Sequence, residues 1–241
     1  MKEFLFYKPE ASGVDWKRID SLRHVMEKRT ASICSQRALL YTESFQSSEH
    51  EPYIIRKAKA FAHTLAHMDI YIQKHSLIFG NQASANFAAP IFPEYSIQWV
   101  IDELDSFDQR SGDVFQIDEA VKQDLRSIAP YWLHHTHEDA VNARLSEDIR
   151  LAEKQGVLHR GGISMSGDGH IVPDHEMILK RGFRSLIEEA QEALQGSGLD
   201  ENQRNYYEAV IISLEGALTF FRRYAKLAEE LAEKEAELMQ F

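Results

Sequence analysis

Apolar residues recur every three or four positions along most of the 241-residue chain, and this periodicity limits the possible folds more than any other feature. The spacing is typical of helices that bury one face. It is plainest in DWKRIDSLRHVMEKR, in PYIIRKAKAFAHTL and from Glu201 onwards. Further helices are predicted over residues 36–45 and after Ser96, which would be the N-cap. DEAVKQDLRSIAPYW predicts a helix that ends before Pro130, and another is predicted between Ser146 and Gly156.

Alternation of apolar and polar residues, the pattern of a half-buried strand, is confined to DIYIQKHSLIFG. It predicts paired short strands at residues 70–72 and 77–79. No internal repeat, low-complexity tract or interdomain linker interrupts the chain. We therefore expect a mainly α fold with at most a few short strands near residues 70–79, in a single helical region that covers residues 1–241.

Composition and charge exclude several classes of function. Hydrophobic residues make up 44% of the chain and charged residues 27%, which is ordinary for a soluble globular protein. The formal net charge of -11 argues against nucleic acid as a partner, because that binding needs clustered Lys and Arg. No apolar run approaches the roughly 20 residues that cross a bilayer, so we expect no membrane partner. A single cysteine and a start without a signal-peptide pattern predict a cytoplasmic location.

The stretch FGNQASANFAAPIFPEYSIQWV, residues 79–100, carries no charge in its first fifteen positions and has two prolines three apart. A surface linker would be more charged, and a strand would not carry internal prolines. We therefore expect this segment to be packed, covered by other parts of the protein, or lining a cavity.

Two features invite a metal-binding or nucleophilic interpretation that their neighbours do not support. In WLHHTHEDA, His134, His135 and His137 do not share one helical face, as metal ligands on a helix would, so no metal site is predicted. The pattern fits a helix that is capped by Thr136 and has acids in its first turn. Cys34 has no neighbouring base or cluster of positive charge, so we expect a packed, inert thiol.

The segment RGGISMSGDGHIVPDH, residues 160–175, breaks the helical rhythm with four glycines and a proline. It lacks both G-x-G-x-x-G and a G-K-[ST] ending, so it does not predict a nucleotide site. His170 lies within it, between Gly169 and Ile171. A backbone of this kind can approach a ligand closely, and imidazole can transfer protons near neutral pH. A purely structural histidine is the commoner alternative.

Four segments, in this order, resemble the N-terminal portion of a known enzyme family: QRALLYTESF, PYIIRKAKAFAHTL, LIFGNQASANFAAPIFPEYSIQWVIDELD and SGDGHIVPDHEMILKRGF. The family is that of the glycyl radical enzymes, in the pyruvate formate-lyase-like branch that includes glycerol and propanediol dehydratases, choline trimethylamine-lyase and isethionate sulfite-lyase. The resemblance runs from about Arg37 to Arg223. One such segment could arise by chance, but four in register are specific.

The resemblance implies a fold and a chemistry. Members of the family have a ten-stranded α/β barrel, around which the N-terminal helices wrap. A glycyl radical, installed by an S-adenosylmethionine-dependent iron–sulfur activating enzyme, generates a cysteine thiyl radical that takes hydrogen from a small polar substrate, and a C–O, C–N or C–S bond then breaks. In the dehydratases a histidine that corresponds to His170 contacts the substrate hydroxyl. By the same resemblance, Asp168 and Ser166 would add polar contacts, and no cofactor would bind this chain itself.

The 241 residues contain neither the Gly-Cys-x-Glu loop nor the Arg-Val-x-Gly-Tyr motif that the resemblance calls for. We therefore expect no radical chemistry from this chain alone, and substrate binding only with the rest of the barrel, supplied in cis or in trans. One interpretation is an N-terminal segment of such an enzyme. Another is a non-catalytic helical interaction protein derived from the family, with a homodimer left open. An unrelated helical bundle would not explain four segments in register.

Overall fold

The computed structural model describes residues 13–160, 162 and 172–238, and helices make up most of that chain. The mainly α prediction is therefore confirmed. Within these residues no helix has both the length and the apolar composition that crossing a membrane would require. The helices are α1 Trp16–Glu27, α2 Gln36–Ser47, α3 Tyr53–His67, α4 Gln98–Glu103, α5 Glu119–Trp132, α6 His137–Asn142, α7 Glu147–Lys154, α8 His175–Leu194 and α9 Glu201–Leu238, with a 3-10 turn at Phe107–Gln109.

Two short strands, β1 Ser32–Cys34 and β2 Ala88–Pro90, run parallel to each other. Ser32 lies opposite Ala88, and Cys34 lies opposite Pro90. Gln116 forms an isolated bridge to Ser32. Each strand has three residues, too few for alternation to appear in the sequence.

The predicted location of the strands, at residues 70–72 and 77–79, is wrong. A turn does form between them, where Ser76 N donates to Gln73 O at 3.1 Å and His75 has a φ of 71°. The flanking residues do not pair as a ladder, however, and Leu77 and Ile78 are 71% and 90% exposed. The alternation in the sequence therefore does not correspond to a buried sheet face.

The main core lies between α2, α4 and α5. Leu125 of α5 is fully buried in this core, and Trp132 Nε1 donates to Thr42 Oγ1 of α2 at 2.7 Å. Helix α5 continues through Pro130 to Trp132, whereas the sequence predicted an end before Pro130. Its buried face extends past the proline, and we infer that this packing compensates for the backbone hydrogen bond that proline removes. The buried members of this core include Ile33, Ala38, Tyr41, Phe45, Ile97, Val100, Leu104, Phe107, Ile128 and Ala129.

Helices α3, α8 and α9 form a second layer. A Cβ at Gly216 of α9 would lie 2.7 Å from both Cα and Cβ of Ala62 on α3, so only glycine allows the two helices to approach this closely. Farther along α9, the Arg223 guanidinium donates to Leu65 O at 2.7 Å and to Met68 O at 2.6 Å. These carbonyls belong to the end of α3, where a cation is favourable for the helix dipole.

Helix ends follow the sequence in most places. Thr136 and Asp139 form a capping box at α6, and Gly156 ends α7 with a φ of 73°. Ser96 was predicted to cap α4, but the cap residue is Ile97, and the Ser96 hydroxyl donates to Glu138 instead. Gly182 has a φ of 73° and a ψ of 162°, which divides α8 into two helical pieces.

Candidate functional site

The residues predicted to contact a substrate, Ser166, Asp168 and His170, lie outside the described residues. On their C-terminal side the description resumes at Val172, which is 96% exposed. Helix α8 begins shortly afterwards, and its cap is Asp174, whose Oδ1 accepts from Met177 N at 2.9 Å. The structure therefore describes how the chain leads from Val172 into α8, and not the three predicted contact residues.

The segment of residues 80–96, which is uncharged up to Glu94, forms a buried wall in its second half. Ile91, Pro93, Glu94 and Ser96 are buried, whereas Gln82 is exposed. The sequence predicted a segment that is packed, covered or lining a cavity, and the structure shows both packing and cavity lining.

One buried ion pair fixes this wall to α2. Arg37 donates to Glu94 through two bonds, Nη2 to Oε1 at 2.6 Å and Nη1 to Oε2 at 3.1 Å. The Glu94 side chain is 3% exposed and that of Arg37 is 12% exposed. Bidentate pairing of this kind is strong and directional. Each Glu94 carboxylate oxygen already accepts a hydrogen bond from Arg37. We therefore assign the pair a structural role, which is to hold residues 91–96 against α2.

The Arg37 guanidinium also lies over two aromatic rings. It lies 3.8 Å from the centroid of Phe92 and 4.5 Å from that of Tyr41. Burial raises the pKa of Tyr41 well above its usual value, and the nearby Glu94 carboxylate raises it further. The Tyr41 phenol is therefore neutral at physiological pH and can both donate and accept a hydrogen bond.

The histidine-rich WLHHTHEDA stretch also bonds to the wall, through its backbone. His137 N donates to Glu94 O and Glu138 N donates to Tyr95 O, each at 3.0 Å. Across residues 13–160, 162 and 172–238, no group of three or more His, Cys, Asp or Glu side chains is arranged to hold a metal ion. In the structure this stretch starts α6, and its hydrogen bonds hold residues 94–96 in place.

Cys34 lies at the end of β1, where it is 7% exposed. Its Sγ is 3.0 Å from Ser84 Oγ, a neutral hydroxyl that is a poor base. A nucleophilic thiol needs a base or a positively charged environment. The hydrogen bonds found among the described residues supply no base for Cys34.

Two cavities flank residues 80–96. One, of about 590 Å³, is lined by β1 and β2 together with Phe92, Trp99, Phe107 and Arg110. The other, of about 500 Å³, lies between α2, α3 and α9, and Tyr41, Lys57 and Phe220 are among its lining residues. Sequence reasoning did not identify Arg37, Glu94 or Tyr41. The sequence did contain one clue to these residues, which is that a single acid, Glu94, ends the long uncharged run.

A family model described as Pyruvate formate lyase-like matches residues 15–240. The chain belongs to this family. A relative with similar sequence is the (2S)-3-sulfopropanediol dehydratase of Klebsiella oxytoca, with 33% identity over 92% of this chain and 28% of the relative. The family predicted from the four sequence segments is thus confirmed.

Solved structures of glycyl radical enzymes resemble this pyruvate formate lyase-like chain closely. The glycerol-bound form of the B12-independent glycerol dehydratase from Clostridium butyricum has a TM-score of 0.87 and 33% identity, over 94% of this chain and 29% of that one. A glycyl radical enzyme from Archaeoglobus fulgidus has a TM-score of 0.80 and 34% identity, over 90% of this chain and 28% of that one. The match covers the N-terminal portion of these proteins. This pyruvate formate lyase-like chain therefore spans less than a third of the length of the relatives it matches.

Proposed function

We propose that this chain forms the N-terminal helical region, over residues 1–241, of a glycyl radical dehydratase or lyase that breaks a C–O, C–N or C–S bond of a small polar substrate. The observation that carries the proposal is the similarity to the glycerol-bound dehydratase of C. butyricum, with a TM-score of 0.87 over 94% of this chain. The similarity to the K. oxytoca sulfopropanediol dehydratase supports the same class of substrate.

The proposal includes a requirement for the rest of the barrel, in cis or in trans. The 241 residues hold neither radical motif, and Cys34 is buried beside Ser84. The protein radical, which an activating enzyme installs in this family, supplies hydrogen abstraction, and it would reside outside this sequence. Large apolar side chains that are exposed here support a covering partner, because such surfaces favour association. They include Ile78 and Leu179, at 90% and 86% exposure.

Within that assembly we assign His170 to the departing hydroxyl of the substrate, with Asp168 and Ser166 as further polar contacts. Hydroxide is a poor leaving group, so a hydrogen bond or a proton from imidazole would lower the barrier to its departure. The assignment rests on the sequence resemblance and on the chemistry that histidine offers near neutral pH.

An anaerobic assay tests both parts. The chain would be extended by the remainder of a glycyl radical enzyme, or mixed with that remainder, and treated with the activating enzyme. We expect no turnover from the chain alone, and turnover of at least one substrate among glycerol, 1,2-propanediol, sulfopropanediol and isethionate from the assembly. In the assembly, His170→Ala should reduce turnover by roughly 100-fold, the scale of a lost general acid.

The matched control is His175→Ala, at the exposed start of α8, which should retain turnover. His175→Ala should keep its melting temperature within a few degrees, because changes at exposed side chains usually cost about 0.5 kcal/mol or less. We expect the same of His170→Ala, because the role proposed for His170 is contact with the substrate. Turnover by the isolated chain would contradict the need for a partner. Normal turnover by His170→Ala, or its unfolding, would contradict the assignment of His170.

A further inference from the structure

The cavity between α2, α3 and α9, which we name the Tyr41 cavity, has the features of a small-molecule site. Its volume of about 500 Å³ is in the range of ligand pockets. Much of its lining is apolar and comes from three helices and residues 80–96; the apolar lining residues include Phe61, Leu65, Met68, Phe92 and Phe220. An apolar lining with a few polar groups is typical of sites that bind organic molecules.

The first polar group is the Tyr41 hydroxyl. Tyr41 is 4% exposed, yet none of the hydrogen bonds found among the described residues involves its phenol oxygen. Arg56 Nε is the buried side-chain atom without a partner in that part of the chain, so the Tyr41 oxygen has some access to the cavity that Tyr41 lines. A polar group in a mostly buried side chain gains from a hydrogen-bond partner, and a ligand in the cavity would supply one.

The second polar group is the Lys57 ammonium. It lies 5.8 Å from the ring centroid of Tyr53 and 6.0 Å from that of Tyr95, and no ion pair to Lys57 is found among the described residues. The acid on the same cavity wall, Glu94, is already held by Arg37 through both oxygens. Among the described residues that line the Tyr41 cavity, Lys57 is therefore a positive charge without a paired acid, in a protein whose formal net charge is -11.

From this arrangement we infer that the Tyr41 cavity binds an organic carboxylate with an apolar body, such as a medium-chain aliphatic or aryl-alkyl acid. The carboxylate pairs with the Lys57 ammonium and accepts a hydrogen bond from the Tyr41 hydroxyl. The apolar body packs against Phe61, Leu65 and Phe220. Charge complementarity selects the head group, and apolar contact supplies the remaining affinity. This site is formed by described residues of this chain and does not depend on the radical chemistry proposed above.

The test uses the whole 241-residue chain with octanoate and 4-phenylbutyrate as probes, and octanamide and 4-phenylbutanamide as neutral analogues of the same shape. Calorimetry and saturation-transfer NMR would measure binding. We expect saturable binding of the acids that weakens with added salt, and binding of the amides that is roughly tenfold weaker. No saturable binding by either acid would overturn the proposal, and equal binding of acids and amides would overturn its charged head group.

Two variants locate the head group. Lys57→Gln should weaken octanoate binding by roughly tenfold, whereas Lys59→Gln should not, because Lys59 lies outside the cavity and its Nζ bonds Glu51 at 2.6 Å. Tyr41→Phe should weaken binding by a few fold while leaving the melting temperature unchanged or higher, since it removes a hydroxyl to which the described residues make no hydrogen bond. An equal loss of octanoate affinity in Lys57→Gln and Lys59→Gln would overturn the site. Unchanged affinity in both Tyr41→Phe and Lys57→Gln, measured as single variants, would also overturn it.

Discussion

Phe107 and Leu125, between α2, α4 and α5, are 1% and 0% exposed, whereas Leu179 on α8 is 86% exposed. The first region closes around a shared apolar centre. The layer of α3, α8 and α9 has a smaller buried cluster, which includes Ile55 and Ala209. The first region is held by a larger apolar core, whereas the second is held by close packing of α9 along α3 around a smaller buried cluster.

Polar contacts differ between the two regions in the same way. In the first region, side chains bond to side chains across the core, as Arg37 does to Glu94 and Trp132 to Thr42. In the second, Arg223 of α9 bonds to backbone carbonyls at the end of α3. A buried side-chain network fixes a unique packing arrangement, while bonds to a helix end position one helix against another. The α2–α4–α5 core should therefore dominate the stability of the isolated chain.

Removing one large side chain from each region gives the largest expected contrast. Phe107→Ala should lower the free energy of unfolding by about 3–5 kcal/mol, because it removes a buried ring from the α2–α4–α5 core. Leu179→Ala, in α8, should change it by less than about 0.5 kcal/mol, as expected at an exposed position. Urea denaturation followed by circular dichroism would measure both values. Similar losses in the two variants would show that the regions do not differ in this way.

The sequence predicts much of the second region because its helices are long and periodic. PYIIRKAKAFAHTL and the segment from Glu201 onwards were both recognised as helices. The parallel strands β1 and β2 were missed because three residues do not show a period. A strand pair was predicted instead at residues 70–79, where a local pattern has no partner strand. The pairing of β1 with β2 joins residues that are distant in the chain, and a local sequence pattern does not predict it.

The candidate site was predicted in the same partial way. The capping pattern around Thr136 could be read locally, and the structure confirms it. The Arg37–Glu94 pair joins residues 57 positions apart, so no local sequence pattern predicts it. The Tyr41 cavity depends on three helices and could only emerge from the packed chain. His170 remains a prediction that rests on sequence resemblance.

The close approach of α9 to α3 gives the next contrast. Gly216→Ala should cost about 1–2 kcal/mol, since a Cβ there would lie 2.7 Å from Ala62, and this clash outweighs the gain of about 1 kcal/mol that alanine brings to a helix. Gly112→Ala, where a Cβ would have nothing within 4 Å, is the control and should be close to neutral. Both are measured by urea denaturation.

A second substitution tests whether the contact itself is responsible. Adding Ala62→Gly to Gly216→Ala moves the methyl group to the other helix and restores the space. The double variant should be more stable than the sum of the two single changes predicts, because the two positions are in contact. Additive losses would mean that the α3–α9 approach does not limit this part of the molecule.

The smallest expected effect concerns Asp139, whose contacts anchor the start of α6 beside the core. Burial would raise the pKa of Asp139, but hydrogen bonds from the Thr136 hydroxyl and backbone N–H outweigh it and lower the pKa below its usual value. A carboxyl with a lowered pKa in the folded state stabilises above its unfolded pKa, and this stability is lost as pH falls through the folded pKa. Asp139→Asn should therefore cost about 1 kcal/mol at pH 7, the scale of a lost cap, and the cost should shrink below about pH 4. The exposed Asp113→Asn is the control and should be close to neutral at both pH values. Urea denaturation between pH 3 and pH 7 measures the difference, and a cost for Asp139→Asn that stays constant across this range would show that its charge does not stabilise the cap.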